Sequence, residues 1–379
     1  MLNYVLLNAR VLLFPFICKA CFLIHIITNL AMLNKEYNIA VVGATGNVGR
    51  EVLTILEERK FPIKNIYALA SLQSSGKKVS MSINKQITVS DLAVFDFAKY
   101  EIDIAFFCAG SEVSKKYIPE AVKAGCICID KSSLFRMDKD VPLVVPEVNP
   151  EALKTYNSNI IATPNCTTIP LVSVLKPLDD KYKIKRVVIT TFQSVSGTGK
   201  KAMDELFNQT KGYFEAAVQN LENDNLNGEV YPKQIAFNCI PQCDDFVDDG
   251  YTKEEYKIIN ETCKILNREI PITATCVRVP VFRCHAESVN IEFENDFDVE
   301  ELSELLEDQE NIVVHDRREK GGYATQCENA GTDCVFVSRI RKDNSINNAV
   351  NLWIVCDNLR KGSALNGVQI AEKIIENDR

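Results

Sequence analysis

The chain is 379 residues long, 46% hydrophobic and 25% charged, a globular composition with enough material for about two domains. A formal net charge of −8 and a pI of about 5.2 exclude a general nucleic-acid binder, which needs a surplus of Lys and Arg against phosphate. Its 14 cysteines fall into no zinc spacing and no disulfide framework, so neither a metal centre nor a secreted scaffold is expected, and a reducing cytoplasmic compartment is.

Residues 1–33 form an atypical apolar extension. Lys19, His25 and Pro15 interrupt it, which makes a poor membrane anchor, and it lacks a convincing small-residue cleavage site. The reading adopted is that it lies outside the functional protein, which starts near Met32, so Cys18 and Cys21 carry no redox meaning and no membrane partner is expected. Asn38-Ile39-Ala40-Val41-Val42 then has the profile of a buried parallel strand. It runs into Gly43-Ala44-Thr45-Gly46-Asn47-Val48-Gly49 and a helical pattern from Glu51 to Leu56. Strand, glycine loop and helix together predict a dinucleotide-binding turn over a plain tight turn, with helix-start N–H groups facing an anion.

A second strand near Ile66–Ala70 ends in Ser71-Leu72-Gln73-Ser74-Ser75-Gly76-Lys77-Lys78, with no acidic residue to hold ribose hydroxyls. That loop suits the extra phosphate of NADP, or is simply a solvated surface loop. Strands at 103–109 and 126–130 flank a helix at 113–124. The alternation predicts a doubly wound parallel sheet, with ligands at the carboxyl ends of its strands near Gly110 and Ser132.

Thr163-Pro164-Asn165-Cys166-Thr167-Thr168-Ile169-Pro170 leads into an apolar helix from Leu171. If Cys166 opens that helix, first-turn N–H groups and the dipole favour its thiolate; otherwise it is one more buried cysteine. A strand at 186–193 and a small-residue loop at 194–200 follow. A helix begins at 202, 220–231 is a polar excursion, 252–266 is an amphipathic helix, 275–293 is strand-rich, 299–306 is a short helix, 335–340 and 349–356 are strands, and a helix at 364–375 closes the chain. Arg278-Val279-Pro280-Val281-Phe282-Arg283-Cys284-His285 supplies a histidine and two arginines before an alternating strand. Of the three histidines, His25 lies in the extension and His315 in a charged run, leaving His285 as the candidate base or a structural histidine.

These residues resemble the aspartate-semialdehyde dehydrogenase family from about Asn38 to the C-terminus. The resemblance rests on the glycine loop at 43–49, the Val141-to-Asn149 run, Pro164-Asn165-Cys166-Thr167-Thr168, Phe192-Gln193-Ser194-Val195-Ser196-Gly197, the 278–285 stretch and Asp357-Asn358-Leu359-Arg360-Lys361-Gly362. It implies an α/β fold: a Rossmann-type doubly wound dinucleotide-binding domain at 34–165, an α+β catalytic and dimerisation domain at 166–349, and a segment at 350–379 returning to the first domain. It implies reduction of L-4-aspartyl phosphate by NADPH to L-aspartate 4-semialdehyde and phosphate, feeding lysine, threonine, methionine and diaminopimelate synthesis in a homodimer.

By motif match, Cys166 is the nucleophile and His285 the general acid/base. Gln193, Arg278 and Glu254 bind substrate, and Arg136 and Lys257 bind phosphate. Thr45, Gly46, Asn47, Val48, Gln73, Ser74, Ser196, Gly197 and Asn358 take the NADP position. The chemistry asks for these types. A thiolate displaces phosphate to give a thioester, a better hydride acceptor than an oxygen ester, and arginine forks match a carboxylate and a phosphate. The backbone at Cys166 and the Asn165 side chain are the expected oxyanion donors. Two departures stand out: Lys131 replaces the family's frequent asparagine, and Gln73 replaces an arginine found in some members. The alternatives are an N-acetylglutamyl-phosphate reductase or a non-catalytic NADP-binding protein.

Overall fold

The computed structural model describes residues 35–154, 158–218 and 228–377; the readings made for 1–34 and for most of the 220–231 excursion lie outside them. The described chain builds two sheets. The first has the order β3-β4-β2-β1-β5-β6-β7. Its strands are β1 (Tyr37–Val42), β2 (Ile63–Ala70), β3 (Lys78–Ser82), β4 (Lys85–Asp91), β5 (Ile104–Phe107), β6 (Ile127–Asp130) and β7 (Ile160–Ala162). Every pair is parallel except the β3–β4 hairpin at the edge, which the sequence reading did not anticipate because its only strong pattern is Val79 and Met81 turned inward. All six residues of β1 are buried, as expected of a strand covered on both faces.

Strand β1 is flanked by β2 on one side and β5 on the other, so the strand order reverses beside the Gly43 loop. This is the crevice where doubly wound sheets take their ligands. Helix α1 (Asn47–Glu58) follows the loop and buries Val52, Leu53, Ile55 and Leu56, and α2 (Ser111–Lys123) follows β5.

The second sheet has the order β11-β12-β13-β10-β8-β9. Its strands are β8 (Ile184–Gln193), β9 (Ile272–Arg278), β10 (His285–Phe293), β11 (Ile312–Val314), β12 (Val335–Lys342) and β13 (Ala349–Cys356). Helices α3 (Thr168–Tyr182), α5 (Lys253–Leu266) and α6 (Val299–Glu307) contribute Leu171, Leu175, Ile258 and Leu302 to one core with Ile189, Val289, Ile291 and Ile354 of the sheet. The other face carries Ser288, Arg339, Arg341 and Trp353 around an open hollow of about 500 Å³. Helix α4 (Lys200–Val218) lies beside the 194–200 loop.

One expected boundary is corrected. Residues 350–356 do not return to the first domain: β13 pairs with β10 and β12 deep in the second sheet, because its apolar side chains are needed on that core. The return begins after Asp357. A π-turn (Arg360–Leu365) leads to α7 (Asn366–Asn377), whose Val368, Ile370, Ala371 and Ile374 join the first core. No helix among the described residues is long and apolar enough to cross a membrane.

Candidate active site

The topology brings the chemistry to one place. Strands β8 and β9 are parallel and end together, with Gln193 opposite Arg278. Strand β10 runs antiparallel beside β8 and starts with His285, so its first residue arrives at that same end. Cys166 reaches it from the first sheet, in the connection between β7 and α3. Its sulfur lies 3.2 Å from His285 Nε2. Cys166 is not itself the helix start, since Thr167 occupies the N-cap position.

The loop at Cys166 is held by its neighbours. The Asn165 N–H donates to Glu261 Oε2 at 2.7 Å, and the Asn165 Nδ2 amide donates to Glu254 Oε1 at 2.8 Å and to Thr167 Oγ1 at 3.0 Å. Asn165 Oδ1 accepts the Cys166 N–H at 2.9 Å and lies 3.6 Å from the thiol. This corrects the expected oxyanion donors: both Nδ2 hydrogens of Asn165 and the Cys166 N–H already have acceptors.

Glu254 is the hub of the polar cluster beside this loop. Gln193 Nε2 donates to its Oε1 at 3.0 Å, and Lys257 Nζ lies 3.2 Å from its Oε2 while also pairing with Asp244 at 2.6 Å. Arg278 is 7% exposed; its NH1 donates to the Ser194 carbonyl at 2.8 Å, and its buried Nε has no acceptor in the protein. Arg136 donates to the Thr163 carbonyl, Glu261 Oε1 and the Lys131 carbonyl at 2.9–3.0 Å. Three of its five N–H groups are thereby engaged and two remain for an anion.

Glu261 was missed from sequence. It bridges Arg136 and the Asn165 N–H, and is 1% exposed. The signal was available: Glu254, Lys257 and Glu261 recur at i, i+3 and i+7, one stripe of α5.

The electrostatics correct the expected thiolate. Burial, reinforced by Glu254, pushes the Cys166 thiol up to about 12, against the pull of Arg278, Arg136 and its own main-chain hydrogen bond. The helix dipole does not reverse a desolvation of that size. Burial, with Arg278 beside it, depresses His285 to about 3, so its ring is neutral. Burial alone would raise Glu254, but Lys257, the Asn165 and Gln193 hydrogen bonds and Arg278 together hold it down at about 2. Lys131 is lowered to about 8 by burial, with Arg136 adding to the effect, and its Nζ donates to the Ser363 carbonyl at 2.5 Å.

His285 has a folded value below its ordinary 6.5 and Glu254 one below its ordinary 4.5, so in both windows the unfolded chain binds more protons. Stability therefore falls as pH drops from 6.5 toward 3, and Glu254 steepens the fall below 4.5. Melting temperatures of the wild type and His285→Gln across this range check it. The variant should lose the upper part of the slope, and parallel curves would contradict the assignment.

The glycine loop fits a dinucleotide phosphate. A Cβ on Gly49 would lie 2.3 Å from the Gly43 carbonyl oxygen, and Gly43 has φ 83°, so this turn admits no side chains between backbone and ligand. Helix α1 has no acidic residue in its first turn to repel an anion. Thr45, Gly46, Asn47 and Val48 lie on this turn, and Gln73 and Ser74 lie in the 3₁₀ turn (Leu72–Ser74) at the end of β2, with Gln73 exposed. Gly197 stands against the His285 ring, where a Cβ would meet Nε2 at 3.2 Å. Ser196 and Asn358 are buried and hydrogen-bonded to each other, and Ser194, which contacts both, also reaches His285 Nδ1. Among the described residues no group of three potential ligands gathers for a metal.

The family profile described as the semialdehyde dehydrogenase NAD binding domain matches residues 38–156, and that of the dimerisation domain matches residues 175–361. An aspartate-semialdehyde dehydrogenase of Rickettsia typhi is 54% identical over 346 residues, covering 91% of this chain and 99% of that protein. The chain belongs to the aspartate-semialdehyde dehydrogenase family. It is an enzyme of that family, with a nucleotide-binding domain and a second α+β domain. The crystal structure of aspartate semialdehyde dehydrogenase II from Vibrio cholerae superposes with a TM-score of 0.85 at 44% identity, covering 90% of this chain and 99% of that one. The same enzyme complexed with ASA gives 0.84 at 44% identity over the same shares. The aspartate semialdehyde dehydrogenase with NADP from Candida albicans gives 0.67 at 25% identity, covering 90% and 98%.

Proposed function

We propose that this enzyme converts L-4-aspartyl phosphate to L-aspartate 4-semialdehyde and phosphate through a thioester on Cys166, with NADPH as its cofactor, in a homodimer serving lysine, threonine, methionine and diaminopimelate synthesis in the cytoplasm. The observation that carries this reading is the Cys166–His285 pair at 3.2 Å, with Arg278 and Arg136 opposing the burial that raises the thiol. The sulfur attacks the acyl carbon as its proton passes to His285, the carbon–oxygen bond to phosphate breaks, and phosphate leaves with the electron pair and one proton; once the thioester carbon has been reduced, the carbon–sulfur bond breaks, the semialdehyde departs and the sulfur keeps that electron pair and regains a proton. The nicotinamide, when bound, supplies the hydride.

The chain's own residues do the rest. Arg278 takes the substrate carboxylate on its unpartnered Nε and the outer N–H groups. Gln193, fixed by Glu254, orients the substrate beside the sulfur. Arg136 and Lys257 take the phosphate with their remaining donors. The loop at 45–48 carries the pyrophosphate, with Ser196, Gly197 and Asn358 around the nicotinamide end. Gln73 and Ser74 face the adenosine phosphate. The second sheet's open face, with Trp353, Arg339 and Arg341, forms the dimer contact.

Two assays test the reading. Aspartate semialdehyde with phosphate and NADP should turn over, and N-acetylglutamate semialdehyde should not; the reverse result would make this the rival reductase. The second assay compares cofactors. kcat/KM with NADPH should exceed that with NADH by at least about tenfold, the worth of one charge-assisted hydrogen bond. Gln73→Asp should bring the two toward parity. Equal use of both by the wild type would remove the loop at 71–78 from cofactor selection.

A further inference from the structure

Arg278 is a buried cation with few anchors. Among the described residues its guanidinium makes one hydrogen bond, from NH1 to the Ser194 carbonyl, and its Nε has no acceptor. Glu254 attracts it through space. Its main chain is fixed separately, by a reciprocal pair of hydrogen bonds with Ile240 at 2.8 and 2.9 Å. A long side chain held so lightly loses much rotamer freedom when it must meet a carboxylate, unless something else already aims it. The ring of Tyr231 is in place to do so. The guanidinium carbon of Arg278 lies over it, 5.9 Å from the ring centre, and both residues are buried. A guanidinium over an aromatic face is attracted by the ring's negative quadrupole, and most strongly where water is excluded.

The ring is built into that position from helix α4. Glu205 Oε2 accepts the Glu229 N–H at 3.0 Å and the Val230 N–H at 2.6 Å. Gln209 Oε1 accepts the Ile235 and Ala236 N–H groups at 2.9 and 3.0 Å. These two buried side chains lie one helical turn apart and pin main-chain N–H groups on both sides of Tyr231. The body of the ring then packs with Val195, Leu206, Ile235 and Ile240.

The hydroxyl end makes a different contact. It donates to Thr198 Oγ1 at 2.8 Å. Thr198 follows Gly197, where a Cβ would meet Arg278 NH1 at 3.5 Å. One side chain therefore reaches both the arginine and the small-residue loop at 194–200, the first with its face and the second with its oxygen.

We propose that Tyr231 is a positioning residue with two separable tasks: its ring face aims Arg278 at the substrate carboxylate, and its hydroxyl holds the 194–200 loop against the cofactor. It acts through Arg278 and Thr198. The inference rests on the reading that Arg278 takes that carboxylate and that Ser196 and Gly197 meet the nicotinamide end. Aiming a cation in advance favours the bound substrate and the transition state alike, so the ring acts on KM and not on kcat.

Steady-state kinetics with aspartate semialdehyde, phosphate and NADP separate the two tasks. Tyr231→Phe keeps the face and removes the hydroxyl. It should keep the wild-type KM for aspartate semialdehyde and raise that for NADP about fivefold, the worth of one neutral hydrogen bond. Tyr231→Leu removes both. It should also raise the KM for aspartate semialdehyde about fivefold, the worth of the cation–π contact, with kcat unchanged. Where leucine unfolds the chain, as melting temperature shows, the unbranched Tyr231→Met takes its place. A side chain that only fills space predicts no such division between the two constants. A wild-type KM for aspartate semialdehyde in the leucine or methionine variant would overturn the inference, as would a wild-type KM for NADP in Tyr231→Phe. An equal rise in both constants in Tyr231→Phe would overturn it too, since the ring face is intact there. Arg278→Lys separates this from the reading beneath it. A lysine cannot present two parallel donors, so the KM for aspartate semialdehyde should rise at least about tenfold. No rise would remove Arg278 from carboxylate binding and the inference with it. A rise there beside a wild-type KM without the ring would sink the role of Tyr231 alone.

Discussion

Cys166→Ser will lower turnover by about four orders of magnitude or more while leaving the melting temperature close to that of the wild type. The substitution changes one atom in a loop whose other bonds are made by Asn165, Glu261 and Thr167, none of which involves the sulfur. The chemistry changes completely. A buried hydroxyl is a far weaker acid than the thiol, which this site has already raised to about 12. Any ester it formed would accept hydride poorly. The two arginines that favour an anion at this position cannot make up that difference. Turnover near the wild-type rate would mean that phosphate is displaced without the sulfur.

Glu261→Ala will cost the fold about 3–5 kcal/mol, the penalty for leaving one member of a buried ion pair alone. Glu261 Oε1 pairs with Arg136 and Oε2 accepts the Asn165 N–H, and both sit in a region closed to water. Removing the carboxylate strands a guanidinium and a main-chain N–H together, and frees the loop that aims Cys166. Activity should fall with stability, because Asn165 and Cys166 are adjacent. Glu261→Gln keeps an acceptor for the Asn165 N–H and should lose less of both. Urea unfolding of the two variants gives the numbers, and a loss below about 0.5 kcal/mol for alanine, the scale of an ordinary surface change, would show that Arg136 finds water instead.

The parallel sheet was readable because its strands are short, wholly apolar and separated by glycine-bearing turns, and β1 with its loop is the clearest case. The β3–β4 hairpin was not, since edge strands carry half their residues in water and dilute the pattern. Cys166, His285, Arg278 and Gln193 could be singled out by chemistry and by family resemblance, but not placed together by spacing. Their meeting depends on β10 running antiparallel to β8, a fact of topology. The thiol departs from the helix-start expectation for a related reason. A helix-start dipole is local, whereas burial decides the thiol and the imidazole alike.

A thioester at Cys166 can be looked for directly. Enzyme mixed with aspartate semialdehyde and NADP in the absence of phosphate can form the acyl-enzyme but cannot release it to phosphate. A rapid burst of NADPH equal to the number of active sites is expected, together with an aspartyl mass increment on the peptide carrying Cys166, both discharged when phosphate is added. Steady turnover with phosphate but neither burst nor adduct without it, or an adduct on another residue, would contradict the central claim.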